Sequence, residues 1–439
     1  MRNSTRKAKA ALAATAVVLG FSGLAACSSG GSSSQSSGPV TIDVVSNFTS
    51  DIARGQVLNS LIKQFNAEHK GKITVVSQTT ADWPSLQSKI RTEIGVGDAP
   101  DVFLYNFNPS DTSLEKYGAS KLINWTPYLN ADPAWKAEFS SQDLSNLTFS
   151  GDTVAIPDDQ SSAVFYYRKD LFKKAGISSF PTTWAQFWAD CVKLQQAGIT
   201  PIALETADDA WYGMNALSYL AISDGGTNAY YATKLQTAPM VAAAASLKKL
   251  FTYAPKNAVG ANYAVASADF LDGNAAMVID GPWLISSIQQ DIKNSCTNVG
   301  VAAGPTSGGA NDQPGTLVTD ALTVWGAAAS PNQTEQQAVV DWMKFYTSTP
   351  SATQMATTGQ FPLLMKTPTT GSAFSSSNCL IKQEVDLSNN APAKVVNAER
   401  YMTTEAQTQL PSLIEGLAEG SISPQKFVST LQQLNTTAP

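Results

Sequence analysis

Strand-like and helix-like segments alternate along this 439-residue chain, and that alternation constrains its fold more than any other feature. Residues 40–46 are rich in β-branched side chains and read as a strand. Across 56–69, Leu58, Leu61, Ile62 and Phe65 recur at helical spacing. Residues 72–78 read as a second strand, and 82–94 as a helix with Leu86, Ile90 and Ile94 on one face. A nearly all-apolar third strand follows at 101–105, as expected for a sheet covered on both faces. This β-α-β-α-β order predicts a parallel sheet with right-handed crossovers.

The pattern resumes further on. Residues 154–157 and 163–167 look extended, and Thr183 with Gln186 makes a capping box for a helix that stops at Gly198. A strand at 201–204, an alanine-rich helix at 241–253 and a strand at 275–280 follow. The last runs into Gly281-Pro282-Trp283 and a helix to about residue 292. Ser330-Pro331 reads as an N-cap/N1 pair before a helix carrying Val339, Trp342, Met343 and Tyr346. Ser423-Pro424 opens a last helix through Phe427, Leu431 and Leu434. The fold class is α/β, without internal repeat.

The first 26 residues carry Arg2, Arg6, Lys7 and Lys9 and then a mostly apolar run, the pattern of a secretory signal. Leu24-Ala25-Ala26-Cys27 resembles a bacterial lipobox. That resemblance makes Cys27 the lipidated N-terminus of an exported protein, held to the outer face of the cell membrane. Residues 27–39 then form a tether, because Ser28 to Pro39 holds seven serines and three glycines and cannot bury apolar area. Its span is roughly 20 Å. Removing the basic leader takes the formal charge from −6 to −10. No basic run or aromatic-arginine patch occurs, which argues against nucleic acid. Three cysteines remain, so at most one disulfide can form within the chain. Cys191 falls among helix-spaced apolar residues and reads as a buried free thiol, whereas Cys296 and Cys379 read as lying in polar loops suited to a bridge. No metal-like cluster is present.

Several phrases recur in the order seen in family 1 extracellular solute-binding proteins of ABC importers, the family that includes maltose-binding protein. They are Gly97-Asp98-Ala99-Pro100-Asp101-Val102, then Tyr166 to Phe172, Ala175-Gly176, and Pro181-Thr182-Thr183-Trp184. After them come Gly198 to Ile202, Phe270 to Met277, Asp280-Gly281-Pro282-Trp283 and Ser330-Pro331-Asn332. The chain resembles that family from about residue 40 to its end. Arg168 is a departure, since the family more often has asparagine there. The resemblance implies two discontinuous α/β lobes, 40–155 with 315–349 and 156–314 with 350–439. Crossover strands would join them, and ligand would sit in the cleft between.

A sugar presents hydroxyls and apolar faces together, so its site needs flat aromatics and short polar side chains. Trp283 falls on a tryptophan that lines the sugar cleft in the family, and Asp280 precedes it at the same strand end. Trp211 and Tyr212 sit where the family supplies another stacking platform. Asn47, Tyr105, Asn106 and Asn108 follow strand ends in lobe one. Asp158, Gln160 and Ser161 follow the first crossover, Gln360 and Phe361 border the cleft, and Asp320 lies on the returning segment. Gln407 or its neighbours occupy the place of an aromatic found in maltose-type members, so the substrate is expected to differ from maltodextrins.

The implied function is capture of a carbohydrate, an oligosaccharide, and its delivery by a monomer to an ABC permease, with no cofactor and no catalysis. An enzyme using a carboxylate pair is the rival, with Asp158-Asp159 or Asp208-Asp209 as the pair. Histidine chemistry has only His69 to draw on. A binding protein for a non-sugar solute is the third reading. A polyamine would call for a dense acidic site and a phosphorylated polyol for a cationic one, whereas the residues at the lobe ends are mostly neutral and aromatic and favour a neutral sugar.

Overall fold

A computed structural model describes residues 38–80, 82–107, 121–227, 229, 237–309, 313–320, 322–359, 361–363 and 379–436. The first alternating unit runs β1 (Val40–Ser46), α1 (Ala53–Glu68), β2 (Ile73–Thr79), α2 (Trp83–Val96) and β3 (Val102–Phe107). Asp82 caps α2 by accepting from Ser85 N at 2.7 Å, and Gly97 closes it at φ 81°. The chain continues through β4 (Ala155–Asp159), β5 (Ser162–Arg168), α3 (Trp184–Gln196), β6 (Thr200–Ile202) and α4 (Trp211–Gly225). Then come α5 (Thr237–Phe251), β7 (Ala275–Asp280), β8 (Val299–Ala302), β9 (Leu317–Thr319), β10 (Leu322–Gly326) and α6 (Gln333–Tyr346). The last part holds α7 (Cys379–Asn390), β11 (Lys394–Val396), α8 (Thr404–Glu419) and α9 (Pro424–Thr436); shorter elements are left unlabelled.

Two principal sheets result. The first has the order β2-β1-β3-β10-β4, with β1 parallel to both β2 and β3 as the alternation predicts. Only β10 is reversed: returning from the second sheet, it lies antiparallel to both β3 and β4, so β4 leaves for the second sheet in the same direction as β1 to β3. The second sheet has the order β11-β9-β5-β7-β6, with β8 added along β5. The chain passes from one sheet to the other between β4 and β5 and comes back between β9 and β10, each time within a few residues.

Each sheet has its own apolar packing. One face of the first sheet is covered by Val57, Leu58, Leu61 and Phe65 of α1 with Trp342 and Tyr346 of α6. Its other face meets Leu86, Ile90 and Ile94 of α2. The second core gathers Phe165, Phe187, Leu217, Ile279, Ile414 and Phe427, which come from both ends of the chain after residue 160. Residues 350–363 were expected with the second lobe. Ala352, Met355 and Phe361 instead pack with the first core, where the helix Thr349–Thr357 follows α6 directly. Likewise β9, expected in lobe one, belongs to the second sheet.

The expected capping box at Thr183 and Gln186 is present. At α6 the cap is Asn332, whose side chain accepts from Thr334 N at 3.0 Å, and not Ser330. Ser330 Oγ instead accepts from Asn332 N and donates to Glu335. Among the described residues, no helix is long and apolar enough to cross a membrane.

Candidate ligand cleft

Trp283 is half-buried and packs against the cores of both sheets, so it marks the seam between them. It follows β7 through a turn that needs glycine: a Cβ on Gly281 would lie 2.4 Å from the Trp283 ring. Trp211 opens α4 with its ring centroid 5.4 Å from that of Trp283, tilted by 58°. It is 8% exposed, and its Nε1–H is buried without a partner. Tyr212, the next residue, points about 100° round the helix and is wholly buried. Its hydroxyl donates to Asp280 Oδ2 at 2.8 Å.

Asp280 is itself fully buried at the end of β7. Oδ2 also accepts from the half-buried Tyr263 at 3.1 Å, and Oδ1 accepts from Gly281 N at 2.8 Å. Burial pushes its carboxyl up to about 7 against the pull of these donors. Asp280 therefore holds Tyr212, Tyr263 and the Trp283 turn together. Tyr263 was not singled out from the sequence; only the Asn262 N-cap beside it carries a local signal.

On the first-sheet side, Asn47 and Asn106 are half-buried at the ends of β1 and β3. Each keeps a buried Oδ1 without a partner, as does Gln87 Nε2, whose Oε1 accepts from Asn106 N at 2.7 Å. Tyr105 does not join them. Alternation along β3 turns it to the other face, where it is 1% exposed and lies edge-on to Phe103. Asn108 and Gln360 lie outside the described residues.

Asp158 is buried and already served by three donors: Arg54, Trp325 Nε1 at 2.9 Å and Tyr346 at 3.1 Å. The Arg54 guanidinium lies over the rings of Phe48 and Phe361, 3.9 and 3.5 Å from their centroids, and is 3.5 Å from Asp159. Phe361 is thus an arginine platform in the first core. Asp159 accepts from Ser161 Oγ at 2.8 Å; burial raises its carboxyl to about 7 although Arg54 pulls it down. Gln160 is half-buried at this crossover. The half-buried Asp320 marks the other one, its N–H bonded to Ser161 O at 2.7 Å. Beside it Arg400, from the second core, donates to the carbonyl of Phe107 on the first sheet. Gln407 Nε2 donates to the carbonyls of Glu399 and Met402.

Residues 49–353 match the family model described as bacterial extracellular solute-binding protein. The chain belongs to that family. A Brucella abortus (strain 2308) protein described as a binding protein is 27% identical over 299 residues, covering 66% of this chain and 68% of its own. A solved chitin oligosaccharide binding protein superposes with a TM-score of 0.80 at 24% identity, covering 91% of this chain and 99% of that one. Maltose-bound MalE3 of T. maritima does so with 0.74 at 18%, covering 90% and 99%. These likenesses show the two-lobe fold of the solute-binding proteins.

In this solute-binding protein Cys296 and Cys379 form a disulfide with Cα atoms 5.8 Å apart, and Cys191 is buried and free. Neither bridged cysteine is in a loop: Cys296 lies on the short helix Ser295–Asn298 and Cys379 begins α7. Cys27 falls outside the described residues. Among the described residues no cluster of three or more His, Cys, Asp or Glu could hold a metal ion.

Proposed function

We propose that this solute-binding protein captures an oligosaccharide between its lobes and hands it, unaltered, to an ABC permease. The observation that carries this reading is the Trp211–Trp283 pair at the seam of the two cores, with the Trp211 Nε1–H buried without a partner and further unpartnered amide groups at the ends of β1 and β3. Flat rings suit the C–H faces of sugars, and the unpaired amide and indole groups suit hydroxyls. The solved relatives named for chitin oligosaccharide and maltose support the same class of ligand. The lobes divide at the two crossovers, with Thr349–Thr357, Phe361 and Leu363 in lobe one. Ligand touching both lobes favours the closed state, which the permease can then recognise.

The protein works as a monomer on the outer face of the membrane, anchored through diacylated Cys27. Tethering raises its concentration near the permease without adding any contact. Calorimetry against a panel of neutral and amino-bearing oligosaccharides tests the ligand class, and chromatography of the sugar after long incubation tests that it is returned intact. Mass spectrometry of the native N-terminus tests the anchor, since an unmodified terminus elsewhere would end that part of the proposal.

A further inference from the structure

Three carboxyl groups gather beside the aromatic pair with no counter-ion paired to them among the described residues. Glu205 follows β6 and is 0% exposed; one oxygen accepts from Tyr212 N at 3.2 Å, and the other is buried with no partner. Asp209 sits two residues before Trp211, between Asp208 and Ala210, both held at positive φ, 56° and 50°. Non-glycine residues in that region store strain. Glu399 approaches from the segment after β11 and feels the charge of Asp209. From the first-sheet side Asp82, at the start of α2, also acts on Asp209. Among the described residues no lysine or arginine is paired with any of these acids. Arg400 is engaged with the Phe107 carbonyl.

The unfavourable arrangement registers in the carboxyls. Burial, with Asp209 and Asp208 beside it, lifts Glu205 to about 9. Burial lifts Asp209 to about 6 despite its bonds to backbone N–H groups, and Glu399 to about 7. The N-terminus of α4 accounts for part of the cluster, since Glu205 and Asp209 both meet its backbone N–H groups. That terminus supplies about half a positive charge, too little for three carboxylates. The free Glu205 oxygen and the unpartnered Trp211 Nε1–H lie on the same end of α4, one short of a donor and the other of an acceptor.

We infer that this cluster is the seat of a ligand ammonium group, so that the carbohydrate taken is a cationic amino sugar oligomer with free amines. The inference rests on the carbohydrate reading above and narrows it. An ammonium group beside Asp209 draws that carboxyl and Glu399 into their charged forms and donates to Glu205, while a neighbouring hydroxyl accepts from Trp211. The ring stacks on Trp283 in either case, so the carboxyls decide between charged and neutral sugars.

The test is calorimetry of the full mature protein at pH 6 with the trimer of glucosamine, the trimer of N-acetylglucosamine, maltotriose and spermidine. The expected result is at least tenfold tighter binding of the glucosamine trimer than of either neutral trimer. That margin shrinks in Asp209→Asn, in Glu205→Gln and at high salt, while the circular dichroism spectrum of Asp209→Asn stays that of the parent. Asp209 is half-exposed, so Asp209→Asn removes the charge at a tolerant position and keeps the test open even if Glu205→Gln fails to fold. Equal or tighter binding of a neutral trimer overturns the amine inference and leaves the carbohydrate reading standing. Binding of spermidine with no saccharide bound, or of none of the four, overturns both.

Discussion

Tyr166 donates to Glu384 at 2.7 Å across a separation of 218 residues, and so ties α7 to the middle of the second sheet. The same hydroxyl reaches Gly281 O at 3.1 Å, so the pair also braces the turn that carries Trp283. Both residues are buried, and burial raises the Glu384 carboxyl to about 8. A glutamate in the unfolded chain titrates near ~4.3. Between those values the folded state holds a proton that the unfolded state has lost.

Stability from Glu384 is therefore fully present below about pH 4 and falls as pH rises towards 8. Asp280, raised to about 7, acts with the same sign. Thermal unfolding should give a higher Tm at pH 5.5 than at pH 8.5, and Glu384→Gln should flatten that difference. An unchanged slope in the variant would remove Glu384 as its source.

Arg54 is the counter-charge for the buried Asp158 and Asp159 at the first crossover. Arg54→Met keeps apolar contact with Phe48 and Phe361 but strands the carboxylates. Urea unfolding should show a loss of about 3–5 kcal/mol. A loss under 1 kcal/mol, by the same order-of-magnitude scale, would mean that the pair is neutralised by protonation of Asp159 rather than by arginine.

The Cys296–Cys379 disulfide closes a loop across 83 positions. Loop-closure entropy puts its contribution at up to ~4–5 kcal/mol, less any native strain. Peptide mapping without reductant should recover the two cysteines linked, with Cys191 alkylated only after denaturation. Burial raises the Cys191 thiol far above its ordinary value and keeps it unreactive. Alkylation of Cys296 and Cys379 in the folded, oxidised protein would refute the bridge.

The sequence carried the alternating units because periodicity is local: Leu58, Leu61, Ile62 and Phe65 sit on one face of α1 whatever packs on them. The β7 end with Gly281 and Trp283 was legible for a similar reason, since strand, turn and aromatic are adjacent in the chain. The burial of Tyr105 was not legible because the face a strand residue takes depends on register, and one position separates it from Asn106. Arg54 under Asp158, and Tyr263 under Asp280, join residues that are 104 and 17 positions apart. No spacing rule reaches such pairs. The acids at Glu205, Asp209 and Glu399 converge only once β6, α4 and the segment after β11 are assembled.

The central claim is that ligand binds at Trp283, between the two cores. Calorimetry of Trp283→Ala with whichever oligosaccharide binds the parent protein tests it most directly, with Tm measured on the same samples. Binding should weaken by ~1–3 kcal/mol, the worth of a buried aromatic contact, while Tm stays close to that of the parent. Unchanged affinity in a folded Trp283→Ala protein would contradict the account.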